Sequence, residues 1–244
     1  MSYCINPDCP SRRNSDDADL CQTCGTDLVL QGQYRVLSPL VPHDPRRPSD
    51  LYEVEDQQNI TGDRKILKVL KWQDPKYVEL FEREALTLQD LDHPGIPKGY
   101  GLFKFLTAQN EELYCFVMDK MPGQDLAQWI RNNRRPSEHF VLNCLRQLIR
   151  ILDYLHRSGY LHRDIKPANI MIADQQVALI DFGSVQAIAQ SQTRVISDGY
   201  TAPEQVNREA VPLSDIYALG RTIVHLVTGM HPIQLKYDYK TKKL

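Results

Sequence analysis

His162-Arg163-Asp164-Ile165-Lys166-Pro167-Ala168-Asn169 decides how this chain is read. Twelve residues after Asn169 comes Asp181-Phe182-Gly183, and later Ala202-Pro203-Glu204. Each fragment alone reads as ordinary polar turn sequence; in this order and spacing they form one set. The 244 residues around them suffice for one large domain or one and a half ordinary ones. Apolar residues at 42% and charged residues at 25% are globular values, which excludes wholesale disorder and a collagen-like fibre. A formal charge of −2 argues against nucleic-acid binding through bulk charge. No run approaches about 18 uninterrupted apolar residues, so no membrane span is expected. Met1-Ser2-Tyr3-Cys4 lacks the basic-then-apolar opening of a signal peptide, and a cytoplasmic chain with reduced cysteines is expected.

Outward from the motif, the second half reads as helical. Ser137 is an N-cap for a helix to about Ser158, with Val141, Cys144, Leu145, Leu148, Ile151, Leu152 and Leu155 on its apolar face. Gly159 is its stop. Ile216 to Val227 is apolar nearly all round, apart from Arg221 and His225, and belongs in an interior. The first half is strand-rich. Tyr34 to Leu37, Leu51 to Glu55, Lys65 to Leu70 and Glu112 to Met118 read as strands, with a hairpin signal at Asn59 to Asp63. Between them, Tyr77 to Leu91 has Val78, Phe81, Ala85, Leu88 and Leu91 at helical spacing.

The motif set resembles the eukaryotic-type protein kinase family, in its bacterial, cyanobacterial-like serine/threonine branch, from about Tyr34 to Gly229. The resemblance implies an α+β, two-lobed protein kinase fold over residues 34–244. The β-rich N-lobe and hinge would take residues 34–121 and a helical, truncated C-lobe residues 122–244. It implies transfer of the γ-phosphate of Mg-ATP to a Ser or Thr hydroxyl of a protein substrate. Phosphoryl transfer asks mainly for positioning and charge neutralisation, and the residue types answer it. Asp164 fits a carboxylate that orients the acceptor hydroxyl and takes its proton. Asn169 and Asp181 fit the oxygen ligands of Mg²⁺. Lys166 fits a cation beside the moving phosphoryl group, and its position points to the Ser/Thr-specific branch.

Lys68, in Lys65-Ile66-Leu67-Lys68, matches the lysine on the α/β-phosphates, and Glu84, in Phe81-Glu82-Arg83-Glu84-Ala85, matches its helix partner. Lys65 and Lys71 are rivals, but alternation sets Lys68 opposite the Leu67/Val69 face. Glu82 is a rival to Glu84, which sits beside the Phe81/Ala85/Leu88 stripe. Val117 to Gly123 resembles the hinge between lobes. Asp119 and Met121 would present backbone groups to adenine, with Met118 behind it. Arg163 is placed to meet a phosphate on the segment Asp181 to Glu204. That segment carries Ser184, Ser191, Thr193 and Ser197. Thr193 is the first candidate for phosphorylation; Ser197 stands near the substrate edge or against Asp164 and Lys166.

The chain departs from the family in its phosphate lid. Where the family has G-x-G-x-x-G, residues Val41 to Asp50 hold no glycine and three prolines. Glycines let a backbone approach phosphate, and prolines remove N–H donors. Arg46 and Arg47 are candidates to supply side-chain charge instead; the alternative is a solvated loop with no nucleotide contact.

Residues 1–33 form a separate stretch. Five acids against two bases give it a net charge of −3, and it is too short and polar to bury a core. Cys4, Cys9, Cys21 and Cys24 are spaced C-x4-C, eleven residues, C-x2-C-G, as a tetrahedral Cys₄ zinc site requires. Zinc would supply the missing folding energy. The stretch resembles the four-cysteine ribbon ahead of the kinase domain in some cyanobacterial kinases. That implies an interaction or regulatory module with a possible protein partner. A redox C-x-x-C is the rival for Cys21 and Cys24. Cys115 and Cys144 read as core.

The resulting expectation is a cytoplasmic serine/threonine kinase with a zinc ribbon, acting in signalling; the alternative is a pseudokinase scaffold. No Arg follows Arg221, so Glu204 lacks the downstream Arg that the family pairs with it. Truncation of the chain, an unpaired Glu204 and an exposed apolar patch around Ile216 to Val227 are therefore expected.

Overall fold

Side-chain alternation organises the first half of the chain. The computed structural model describes residues 1–59, 63–133, 135–188 and 195–235. Two units emerge: Met1–Asp90 with Lys98–Lys120, and Leu91–Pro97 with Met121–Leu244. The first holds β1 (Ser2–Tyr3), β2 (Arg13–Asn14), β3 (Val29–Leu30), β4 (Tyr34–Pro39), β5 (Ser49–Asp56), β6 (Arg64–Leu70), α1 (Pro75–Asp90), β7 (Gly99–Leu106) and β8 (Glu112–Asp119). β1 and β2 pair with each other. The other six strands form one antiparallel sheet in the order β3-β4-β5-β6-β8-β7. The tip of the expected Asn59 to Asp63 hairpin lies outside the described residues.

On one face of this sheet Val36, Tyr52, Val54, Leu67, Val69 and Val117 form a core. Ile5 and Leu30 of the cysteine-rich stretch complete it. Ile5 is 2% exposed, and burying such a side chain contributes about 1.5–3 kcal/mol. Polar ties add to the contact. Asn6 Nδ2 donates to Gln109 Oε1 at 2.6 Å, Gln109 Nε2 to the Cys24 carbonyl at 2.9 Å, and Arg35 to the Ala18 carbonyl at 2.7 Å. The ribbon therefore lies on the sheet within the same unit.

α1 lays Phe81, Ala85 and Leu88 into its unit. Its backbone comes so near β7 that a Cβ on Gly99 would sit 3.1 Å from backbone atoms of Leu88 and Gln89. β7 itself escaped the sequence reading because Gly99, Gly101 and Lys104 interrupt its alternation; pairing with β8 imposes the strand.

The second unit holds β9 (Gln124–Asp125), α2 (Leu126–Asn132), α3 (Glu138–Arg157), β10 (Tyr160–Leu161), β11 (Ile170–Ala173), β12 (Gln176–Leu179), β13 (Gln186–Ala187), α4 (Pro203–Val206) and α5 (Pro212–Thr228). Ser137 caps α3 as expected, its Oγ accepting from the Phe140 amide at 3.2 Å. α5 begins four residues before the periodic pattern. Pro212 opens it and Ser214 Oγ accepts from the Val211 amide at 3.1 Å. It buries Ala218, Leu219, Thr222 and Leu226 but leaves Leu213 71% and Val227 50% exposed, so the expected apolar patch is present. The expectation for Glu204 is corrected. Its side chain is half-buried and accepts the Ser214 hydroxyl at 2.6 Å, because Ser214 faces it from the first turn of α5. Among the described residues no helix is long and apolar enough to cross a membrane.

Candidate active site

In the first unit, β6 projects Lys68 from the face opposite Leu67 and Val69. Its Nζ donates to Glu84 Oε1 at 2.8 Å and Oε2 at 2.6 Å. The rival lysines are engaged elsewhere. Lys65 Nζ donates to Asp119 at 2.8 Å and stands 3.8 Å over the Tyr100 ring. Burial pulls Lys65 down and Asp119 up, but their hydrogen bonds to each other and to Tyr100 outweigh it. Lys65 is raised and Asp119 held below the usual carboxylate range. The Asp119 amide donates to the Lys98 carbonyl at 2.9 Å. Met118 is buried, and Met121 opens the second unit half-exposed.

Lys71 explains the lid. Its Nζ donates to Asp50 at 2.8 Å and to the Asp44 carbonyl at 2.7 Å, and its amide to the Pro48 carbonyl at 2.8 Å. His43 Nδ1 lies 2.8 Å from Asp50 Oδ2. The loop is braced from within. Arg46 is turned onto Asp44 at 3.0 Å.

In the second unit, β10 leads into the 162–169 loop. Asp215, 1% exposed at the head of α5, accepts from the His162 amide at 2.9 Å, the Arg163 amide at 2.7 Å and His156 Nε2 at 2.9 Å. The sequence reading missed it; its signal was a lone acid leading an apolar helix. His162 is fully buried, its ring edge-on to Phe182 with centroids 5.0 Å apart. Burial holds its imidazole below the usual range against the pull of Asp215, Asp164 and Asp181. The Ile180 amide donates to the Asn169 carbonyl at 2.8 Å, which brings exposed Asp181 alongside.

Asp164 gathers the rest. Lys166 Nζ donates to its Oδ2 at 2.7 Å, Asn169 Nδ2 to Oδ2 at 2.9 Å, and Ser197 Oγ to Oδ1 at 2.5 Å. Lys166 also reaches Ser197 Oγ at 3.2 Å, the second of the two expectations for Ser197. Burial opposes ionisation of Asp164, yet the bonds from Lys166 and Ser197 hold it below the usual carboxylate range. A carboxylate so held can accept a proton from a hydroxyl brought to the same oxygen. Arg163 Nε donates to the Ser184 carbonyl at 2.8 Å. Ser191 and Thr193 lie outside the described residues.

The Sγ atoms of Cys4, Cys9, Cys21 and Cys24 all fall within 4.8 Å of one another, with Cys4–Cys24 at 3.6 Å and Cys9–Cys21 at 3.7 Å. Tetrahedral zinc with bonds of about 2.3 Å places thiolates about 3.8 Å apart, so the donor set fits the ion. Burial pushes the Cys4 thiol up. At Cys24 burial is outweighed by hydrogen bonds from Thr26, which bring it to about 6. Burial pushes Cys144 up to about 11 and raises Cys115 as well, as inert core thiols require.

The protein kinase domain family matches residues 54–243. Serine/threonine-protein kinase B of Synechocystis sp. is 32% identical over 270 residues, spanning all of this chain and 45% of that protein. Serine/threonine-protein kinase PknA of Mycobacterium tuberculosis is 36% identical over 84% of this chain and 49% of its own length. PrkC of Bacillus subtilis is 32% identical over 83% of this chain and 31% of its own. The chain spans about half the length, or less, of the curated relatives it matches.

Proposed function

The chain belongs to the protein kinase family, and from that premise we propose that it is a serine/threonine kinase transferring the γ-phosphoryl group of ATP to a protein hydroxyl. The observation that carries this is the Asp164 carboxylate, ionised inside the protein and already holding a serine hydroxyl at 2.5 Å. In this reading the substrate hydroxyl donates to Asp164 as Ser197 does. Its proton passes to Asp164 while its oxygen attacks the γ-phosphorus, and the bond from that phosphorus to the β,γ-bridging oxygen breaks, releasing ADP. Lys166 offsets the moving charge. Lys68, aligned by Glu84, holds the α/β-phosphates. Asp119 and Met121 would present backbone groups to adenine; the Asp119 amide already donates to the Lys98 carbonyl. Asn169 and Asp181 would hold Mg²⁺, which neutralises phosphate charge when bound. Cys4, Cys9, Cys21 and Cys24 would hold a structural zinc. A cytoplasmic signalling role goes with this reading.

The test incubates the full chain with Mg-ATP and a generic Ser/Thr protein substrate beside Asp164→Asn. The wild type should incorporate phosphate and the variant should lose about 10²–10⁴-fold; equal incorporation by both sinks the proposal. The braced, glycine-free lid favours a second reading, a scaffold that keeps the fold without transfer. In that case neither protein incorporates phosphate.

A further inference from the structure

Gln205 follows the Ala202-Pro203-Glu204 motif on α4 and is 3% exposed. Its Nε2 donates to the Arg163 carbonyl at 2.7 Å and the Val195 carbonyl at 3.0 Å. Both partners are carbonyl oxygens, so the NH₂ end must face them, with one proton for each. The placement of the two carbonyls gives this contact its meaning. Arg163 immediately precedes Asp164, and Val195 stands two residues before Ser197. Just beyond the clamped carbonyls those two side chains meet.

Arg163 needs support from outside its own backbone. Its φ is +64°, a conformation that side-chain-bearing residues adopt at a cost. Asp215 takes its N–H at 2.7 Å and Gln205 takes its C=O, so both backbone polar groups are fixed. Asp215 ties the loop to His156 of α3, whereas Gln205 ties it to the 195–201 segment. Glutamate has the same shape but no donors, methionine has similar length but no polarity, and a lysine here would bury a charge.

We propose that Gln205 is a positioning residue whose single amide fixes the spacing between the Asp164 carboxylate and the 195–201 segment that carries Ser197. The proposal rests on the kinase reading of this site. Misplacement by about 1 Å at such a site costs on the order of 100-fold in rate.

The experiment compares wild type, Gln205→Met and Gln205→Glu in the full chain. It measures steady-state transfer to a Ser/Thr peptide, KM for ATP, melting temperature, and amide hydrogen exchange over residues 195–201. Expected is a kcat lower by on the order of 100-fold in both variants, with KM for ATP little changed, melting temperature lowered because two carbonyls lose their donor, and exchange over 195–201 faster. An unchanged kcat overturns the proposal. So does a loss of kcat matched by an equal loss in ATP affinity, because that is a general folding defect. If the wild type transfers no phosphate, the kinase reading fails and exchange alone decides. Faster exchange confined to 195–201 then upholds the clamp, and unchanged exchange overturns it.

Discussion

Lys68 Nζ engages both carboxylate oxygens of Glu84, and the pair is largely enclosed: the side chains are 13% and 4% exposed. Removing Glu84 takes both of these bonds from a largely buried ammonium, at a cost on the order of 3–5 kcal/mol. Glu84→Ala should destabilise the first unit by about that amount in chemical denaturation. The double variant Lys68→Met/Glu84→Leu should recover most of that loss while transferring no phosphate. A single variant as stable as wild type would refute the pairing.

The lid loop should ignore its arginines and depend on its lysine. Arg46 is spent on Asp44, so Arg46→Ala and Arg47→Ala should leave nucleotide affinity unchanged in a fluorescence titration. Lys71 and Asp50 are both 9% exposed. Lys71→Met should cost about 3–5 kcal/mol and raise hydrogen exchange over residues 41–50. Weaker ATP binding by the arginine variants would return phosphate contact to the loop.

The Lys65–Asp119 pair sets a pH window. Asp119 is depressed in the folded state, so its contribution is complete above its ordinary value of about 3.9 and fades as pH falls through the folded value. Lys65 is raised, so its contribution is complete below about 10.4 and fades as pH rises through the folded value. The melting-temperature gap between wild type and Asp119→Asn should be flat from about pH 5 to 9 and narrow below about pH 4. A gap that grows on acidification contradicts this.

Metal analysis should find one zinc per chain, lost in Cys21→Ser/Cys24→Ser. Ile5 and Leu30 share the core of the sheet, so metal loss should lower the melting temperature of the first unit along with the ribbon. A metal-free protein of unchanged stability would disprove the site.

Local rules made part of this legible. Alternation picked Lys68 from three lysines, helical spacing picked Glu84, and motif order brought Asp164, Lys166 and Asn169 together. What stayed hidden depends on distant partners. Lys71 looked like a discarded rival until Asp50, 21 residues away, claimed it. Asp215 and Gln205 touch the 162–169 loop from 52 and 42 positions downstream of Arg163. No periodicity reports such contacts. The ribbon read as a separate module because its composition cannot bury a core; the sheet provides that core.

Asn6 and Gln109 meet across 103 positions of chain. At translation speeds of about 5–20 residues per second, the cysteine segment waits roughly 5–20 s before its clasp exists. β8, made last, must also insert between β6 and β7. The four thiols thus leave the ribosome well before the sheet that shelters them is complete. A zinc held during that interval would keep the four thiols together until the sheet closes over them.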